Sequence, residues 1–142
     1  MAQVRCEIDS IRVAAACPDE LTLILKEADG SSYVPILISQ HQGEILANEL
    51  HGRPDSKREL DAFLASNNAT DSDIVCATVH LEDSVFSAKV LFSPCHEPHE
   101  VSCPIGIALA LAVRGKAPIL ADKAIFERAG VSLSAAAWEM EQ

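Results

Sequence analysis

Two segments limit what this chain can fold into: VPILIS at residues 34–39, which runs into a helix start, and SCPIGIALALAVRGKAPIL at residues 102–120. Each joins a short apolar strand to an apolar helix, the pairing from which layered sheet-and-helix domains are built. Polar groups able to do chemistry are sparse in both segments. The fold is therefore easier to read from this chain than its activity.

With 142 residues, 49% of them hydrophobic, the chain suits one domain able to bury a core. The expectation is a single domain over residues 1–131, with a C-terminal helix over 132–142 appended to it. Residues 1–13 mix Arg5, Glu7 and Asp9 with apolar side chains, so they lack the continuous apolar stretch of a signal peptide, and no later run reaches spanning length. A soluble, cytoplasmic protein with no membrane association is expected. Five cysteines, Cys6, Cys17, Cys76, Cys95 and Cys103, make an odd number outside any small secreted framework, which favours reduced thiols. The formal charge of -10 repels polyanions at long range and argues against broad coating of nucleic acid. A local basic patch or bound divalent metal would override that average, since exposed charges act over a screening length of roughly 8 Å.

Val4, Cys6 and Ile8 alternate with charged residues before the apolar phase switches to Ile11 and Val13, which predicts a bulge near Asp9 and Ser10. Leu21, Leu23 and Leu25 keep period two. Turn residues at 28–31 then lead to residues 33–38, so a hairpin is predicted, with Pro35 placing the second strand at an edge. Ser39 and Gln42 have the spacing of a capping box, ahead of a helix carrying Ile45, Leu46 and Leu50. A second box, Ser56 and Glu59, opens a helix with Leu60, Phe63 and Leu64 on one face. Residues 74–81 and 85–92 read as a second hairpin, followed by a strand near 97–101. Pro104 fits a helix start, Arg114 and Gly115 its end, and the helix between should be buried almost all round. A short strand at 118–120, a helix from Asp122 to Gly130, and a last helix capped by Ser132 or Ser134 and carrying Trp138 and Met140 complete the pattern. The class is α+β: one mixed sheet built around two hairpins, with helices packed over it.

The strand-to-helix and hairpin landmarks together, LTLILKEADGSSYVPILIS, Leu50-His51-Gly52, Arg53-Pro54 and AVRGKAPIL, resemble the bifunctional nuclease domain of bacteria and plants over residues 4–131. The resemblance implies a compact α+β fold, homo-oligomerisation with a dimer favoured, and hydrolysis of DNA and RNA. The departures fall on polar positions. Where the family tends to have a glycine and then an acid at the helix start, this chain has Ser39 and Gln42, and Glu44 is the acid that remains. A threonine-histidine-aspartate run after Arg53-Pro54 is replaced by residues 55–59, DSKRE, and the Arg-Pro-Ser-Asp before the buried helix by residues 102–106, SCPIG.

Phosphodiester hydrolysis needs a water nucleophile, a group to deprotonate it, and positive charge on the phosphoryl oxygens from metals or from Arg and Lys. The enzyme reading therefore takes a divalent metal, magnesium, manganese or zinc, with Glu44 as catalytic candidate and Arg53, Arg58 and Arg114 as phosphate-binding candidates. Lys57 adds to that basic cluster, which equally suits a solvated helix face. Glu44 equally suits an interaction with the helix dipole. Cys95, His96, His99 and Cys103 have residue types suited to zinc, at a spacing that matches no familiar zinc module. His80 shares a strand face with Ile74, Cys76 and Thr78 and reads as a packed histidine. The alternative reading is a non-catalytic homo-oligomeric module, regulatory or ligand-binding, that keeps the apolar landmarks and has lost the polar ones.

Overall fold

The computed structural model describes residues 3–14, 17–28, 32–53, 57–83, 85–93 and 98–129. A meander of β1 (Gln3–Ala14), β2 (Cys17–Glu27) and β3 (Tyr33–Ser39) passes into α1 (Gln40–Leu50) and α2 (Lys57–Ser66). A single 3-10 turn at Asp71–Asp73 leads to a second meander, β4 (Ile74–Glu82), β5 (Val85–Phe92) and β6 (His99–Cys103). Helix α3 (Ile105–Gly115), strand β7 (Ile119–Asp122) and α4 (Lys123–Ala129) follow. The helix expected over 132–142, with Ser132, Ser134, Trp138 and Met140, lies outside the described residues.

The strands form one mixed seven-stranded sheet in the order β3-β2-β1-β7-β4-β5-β6, and the class is α+β. Strand β7 pairs antiparallel with β1 and parallel with β4, so four residues from late in the chain join the two meanders. Pro35 sits on β3, an edge strand, where a missing N–H is least costly. The phase switch near Asp9 and Ser10 is a register shift between Ile8 and Ser10 against β2. Strand β6 begins two residues beyond the predicted start and runs to Cys103.

One face of the sheet carries the helices. Helix α3 lies over β4 and β5, α1 lies over β2 and β3, and the two helices pack side by side. Ala108, Leu109, Ala110, Leu111 and Ala112 are all fully buried, which is the all-round burial that the apolar run predicts. Each leucine there contributes about 1.5–3 kcal/mol through the apolar surface it removes from water. A register shift between Ile74 and Cys76 corrects one assignment: Ile74 turns into the helix-side core with Ala77 and Val79, while Thr78 and His80 alternate to the opposite face.

The end of α3 also differs from the prediction. The left-handed residue that closes the helix is Lys116, at φ 53°, and not Gly115. Gly115 serves close approach instead. A Cβ there would lie 3.0 Å from the Asp71 carbonyl oxygen and 3.1 Å from Ile74 Cβ. The glycine lets α3 settle onto the start of β4, and a lysine takes the backbone conformation that glycine usually supplies.

Candidate functional site

The two strand-to-helix junctions singled out in the sequence meet in space. Ser39 is the N-cap of α1, and its hydroxyl accepts the Gln42 N–H at 3.2 Å. The Gln42 side chain reaches across to α3, where its Oε1 accepts the backbone N–H of Gly106 at 2.8 Å, an otherwise orphaned first-turn donor. A Cβ on Gly106 would lie 2.5 Å from Gln42 Cβ, so the glycine is what permits the approach. Seven residues further along α1, Glu49 meets Arg114 near the end of α3. The helices are thus parallel neighbours, tied at both ends by polar contacts.

Beside the paired helix starts is a cleft of about 450 Å³. Asp19 and Glu20 from β2 line it with Leu37, Ile38 and Ser39 from β3, and Gln42 from α1. Phe86 from β5 and Pro104 and Ile105 from the β6-to-α3 junction complete the lining. The cleft thus takes lining residues from β2 and β3 at one side of the sheet and from β5 near the other. No Lys, Arg or His is among its described lining residues.

Arg114 is turned away from solvent, its side chain 8% exposed. Its Nε donates to Glu49 Oε1 at 3.2 Å, Nη2 to Glu49 Oε2 at 3.4 Å, and Nη1 to Asp61 Oδ1 at 2.6 Å, while Asp71 lies 4.0 Å off. Burial alone lowers the pKa of a guanidinium; its hydrogen bond to Glu49 and the charges of Glu49, Asp61 and Asp71 outweigh that and raise it. One arginine on α3 therefore clamps α1, α2 and the 3-10 turn. Sequence reading placed Arg114 with the phosphate-binding candidates, and the fold spends its donors on carboxylates.

Among the described residues, none of the other candidates is in a hydrogen bond or ion pair with Arg114. Glu44 is exposed and has Gln40 Nε2 at 3.2 Å as its partner. Five residues before Glu49 on the same helix, it lies about 7.5 Å away along the axis and roughly 140° around it. Arg53 and Arg58 are exposed, after α1 and in the first turn of α2. His41, on the first turn of α1, pairs with Glu59 of α2 at 2.9 Å, and His51 is the C-cap of α1. Cys95 and His96 lie outside the described residues. His99 stacks near Phe92 with ring centroids 5.6 Å apart. Cys103 shares the His99 face of β6 four residues on, about 13 Å along an extended strand. Burial pushes the Cys103 thiol up to about 12, which disfavours the thiolate that metals bind. Among the described residues, which do not include Cys95 and His96, no three His, Cys, Asp or Glu side chains gather to hold a metal ion.

A second polar cluster lies on the far face of the sheet. Asp122 Oδ2 accepts from His80 Nδ1 at 3.0 Å, and His80 Nε2 is hydrogen-bonded with the Thr78 hydroxyl at 2.9 Å, across β7 and β4. This orientation follows from the carboxylate, which fixes the proton on Nδ1. The packed-histidine reading of His80 fits this geometry. Its partner Asp122 was missed, because 42 residues separate the two in sequence and the parallel register of β4 and β7 alone makes them neighbours.

The family model for the bifunctional nuclease domain matches residues 23–134, which is most of the chain. A comparison with curated proteins found no match.

Proposed function

Because this chain belongs to the bifunctional nuclease domain family, we propose that it is a nuclease-fold domain in which hydrolysis of DNA and RNA is weakened or lost. One observation carries the reading: the polar groups at the two junctions are spent on the fold. The helix-start position where the family tends to have an acid looks like Gln42, a neutral amide whose oxygen is occupied by the Gly106 N–H. Arg114, the basic candidate inside the fold, is occupied by Glu49, Asp61 and Asp71. Hydrolysis needs a base for water and uncommitted positive charge for the phosphoryl oxygens, and the cleft beside the helix starts has no Lys, Arg or His among its described lining residues.

The test is cleavage of labelled single-stranded DNA and RNA with magnesium, manganese or zinc, with chelator controls and a Glu44→Ala protein. The expected result is no chelator-sensitive cleavage by folded protein. Turnover that disappears with chelator and in Glu44→Ala would instead establish a working nuclease with Glu44 in its site. The reading includes a homodimer in the cytoplasm, supported by the family resemblance and by the large apolar side chains left exposed at Leu37 and Val85. Sedimentation at micromolar concentration should give a dimer mass, and a monomer there would remove that part.

A further inference from the structure

Away from the helix junctions, Thr78, His80 and Asp122 join three side chains that can each hold or pass a proton, on the sheet face opposite the helices where β7 meets β4. The order hydroxyl, imidazole, carboxylate is that of an activated nucleophile. Thr78, however, is 6% exposed and lies in mid-strand, paired with Lys89 on one side and Leu120 on the other, which keeps its oxygen from a substrate. A different property is open to it. Thr78 Oγ1 is 2.9 Å from His80 Nε2 and 3.5 Å from the Lys89 carbonyl oxygen of β5, two places for the single hydrogen of a hydroxyl that rotates. Asp122 Oδ2, 3.0 Å from Nδ1, holds the proton on the other ring nitrogen.

We propose that this cluster is a pH-responsive switch in the seam of the sheet. With His80 neutral, Nε2 accepts the Thr78 hydroxyl hydrogen, and the hydrogen bonds run from Thr78 through His80 to Asp122, within β4 and β7. The 3.5 Å contact to the Lys89 carbonyl, at the limit of hydrogen-bond length, belongs to this state. A second proton taken from solvent makes both ring nitrogens donors. Nε2–H then donates to Thr78 Oγ1, and the hydroxyl hydrogen turns to the Lys89 carbonyl. One run of hydrogen bonds now spans β7, β4 and β5. Neither state strands a polar atom, so the ring keeps its place through the change. The His80 and Asp122 side chains are 21% and 17% exposed, open enough to exchange protons with water. On the same face stand Asp122 from β7, Glu82 and Cys76 from β4, and Lys89 from β5 beside Thr78, with Ser87 opposite His80 and Gln3 and Arg5 of β1 beyond β7. The switch holds whether or not the domain cleaves nucleic acid.

The test is a titration of labelled protein over about pH 5 to 8, the range in which imidazole changes charge, read at the His80 ring nitrogens and the Lys89 carbonyl carbon. Wild type is compared with Thr78→Val, which keeps the shape and removes the hydroxyl, and with Thr78→Ser, which keeps the hydroxyl. In wild type, Nδ1 should stay protonated throughout while Nε2 gains its proton on the acid side. The Lys89 carbonyl carbon should move downfield with the same midpoint, as it gains a hydrogen bond. In Thr78→Val, His80 should still titrate and the carbonyl response should be lost, and Thr78→Ser should retain it. A carbonyl response that survives in Thr78→Val comes from the new charge alone and overturns the proposal. So does a still carbonyl in wild type, a ring that leaves Asp122 on protonation, or a ring that takes up no second proton in this range.

Discussion

Replacing Arg114 with Met keeps the unbranched apolar stem and removes the guanidinium, which isolates the worth of the clamp. Glu49, 16% exposed, then loses both of its charged donors inside the helix layer. Asp61 and Asp71, at 54% and 56% exposed, turn to water at little cost. An exposed pair is worth below about 1 kcal/mol, and breaking a fully buried one costs about 3–5 kcal/mol. With one buried and two half-exposed acceptors, Arg114→Met should cost about 2–3 kcal/mol, read as a lower urea midpoint at unchanged slope. For a domain of this size that is a fall of roughly 5–10 °C in Tm. The double variant Arg114→Met/Glu49→Gln should recover part of the loss, since the penalty is mainly a stranded carboxylate. A loss below about 0.5 kcal/mol, or strict additivity of the two changes, would refute the clamp.

Lys116→Gly should stabilise the protein by about 0.5–1 kcal/mol in urea melts, because it removes a left-handed lysine, whereas Gly115→Ala should destabilise it by forcing a Cβ against Asp71 and Ile74. Gly106→Ala should cost about 1–3 kcal/mol by separating α1 from α3, and Gln42→Ala about 1 kcal/mol through the unpaired Gly106 N–H. The Cys6 thiol, buried and donating to the Ile119 carbonyl, is pushed from the ordinary value of 9.0 to about 12, chiefly by burial with a smaller effect of Glu7. The unfolded chain therefore ionises first, so the contribution of Cys6 is intact below pH 9 and falls by about 1.4 kcal/mol per unit between 9 and 12, and Cys103, pushed up as far, adds a similar slope. Cys6→Ala should remove about half of that alkaline slope in equilibrium melts. Nitrogen NMR should find the His80 proton on Nδ1, and Asp122→Asn should release that preference.

Local patterns in the sequence carried much of the architecture. Period-two runs named the hairpins, Pro35 named an edge, and the phase slip at Asp9 and Ser10 named a bulge because a one-residue shift reverses every following side chain. The Ser39 cap was legible for the same local reason, but half of its predicted box was not. Gln42 has the residue type and spacing to close the box, and its amide serves another helix. No short-range pattern distinguishes those uses. Arg114 illustrates the limit more sharply, since its three acids come from α1, α2 and the turn before β4. A basic residue at a helix end looks alike whether it meets phosphate, water or buried carboxylates. The cleft was out of reach because Asp19 and Phe86, which both line it, come from strands far apart in the order of the sheet. Residue types at 95–103 suggested zinc; of the four, His99 and Cys103 stand at the two ends of one strand, and Cys95 and His96 lie outside the described residues.

The placement of β7 sets the order in which this molecule can be assembled. Both meanders are local and are complete once the chain has reached Cys103, but their seam is residues 119–122. Cys6 pairs with Ile119 and Ala77 pairs with the same residue, across very different loop lengths. A nascent chain on the ribosome therefore holds two half-sheets with open inner margins until residues 119–122 emerge, and such margins are templates for wrong partners. Closure across more than a hundred residues raises contact order and slows the final step. The joint that makes seven strands continuous is also the interval during which newly made chains are most exposed to aggregation, and the stretch a chaperone would have most reason to cover.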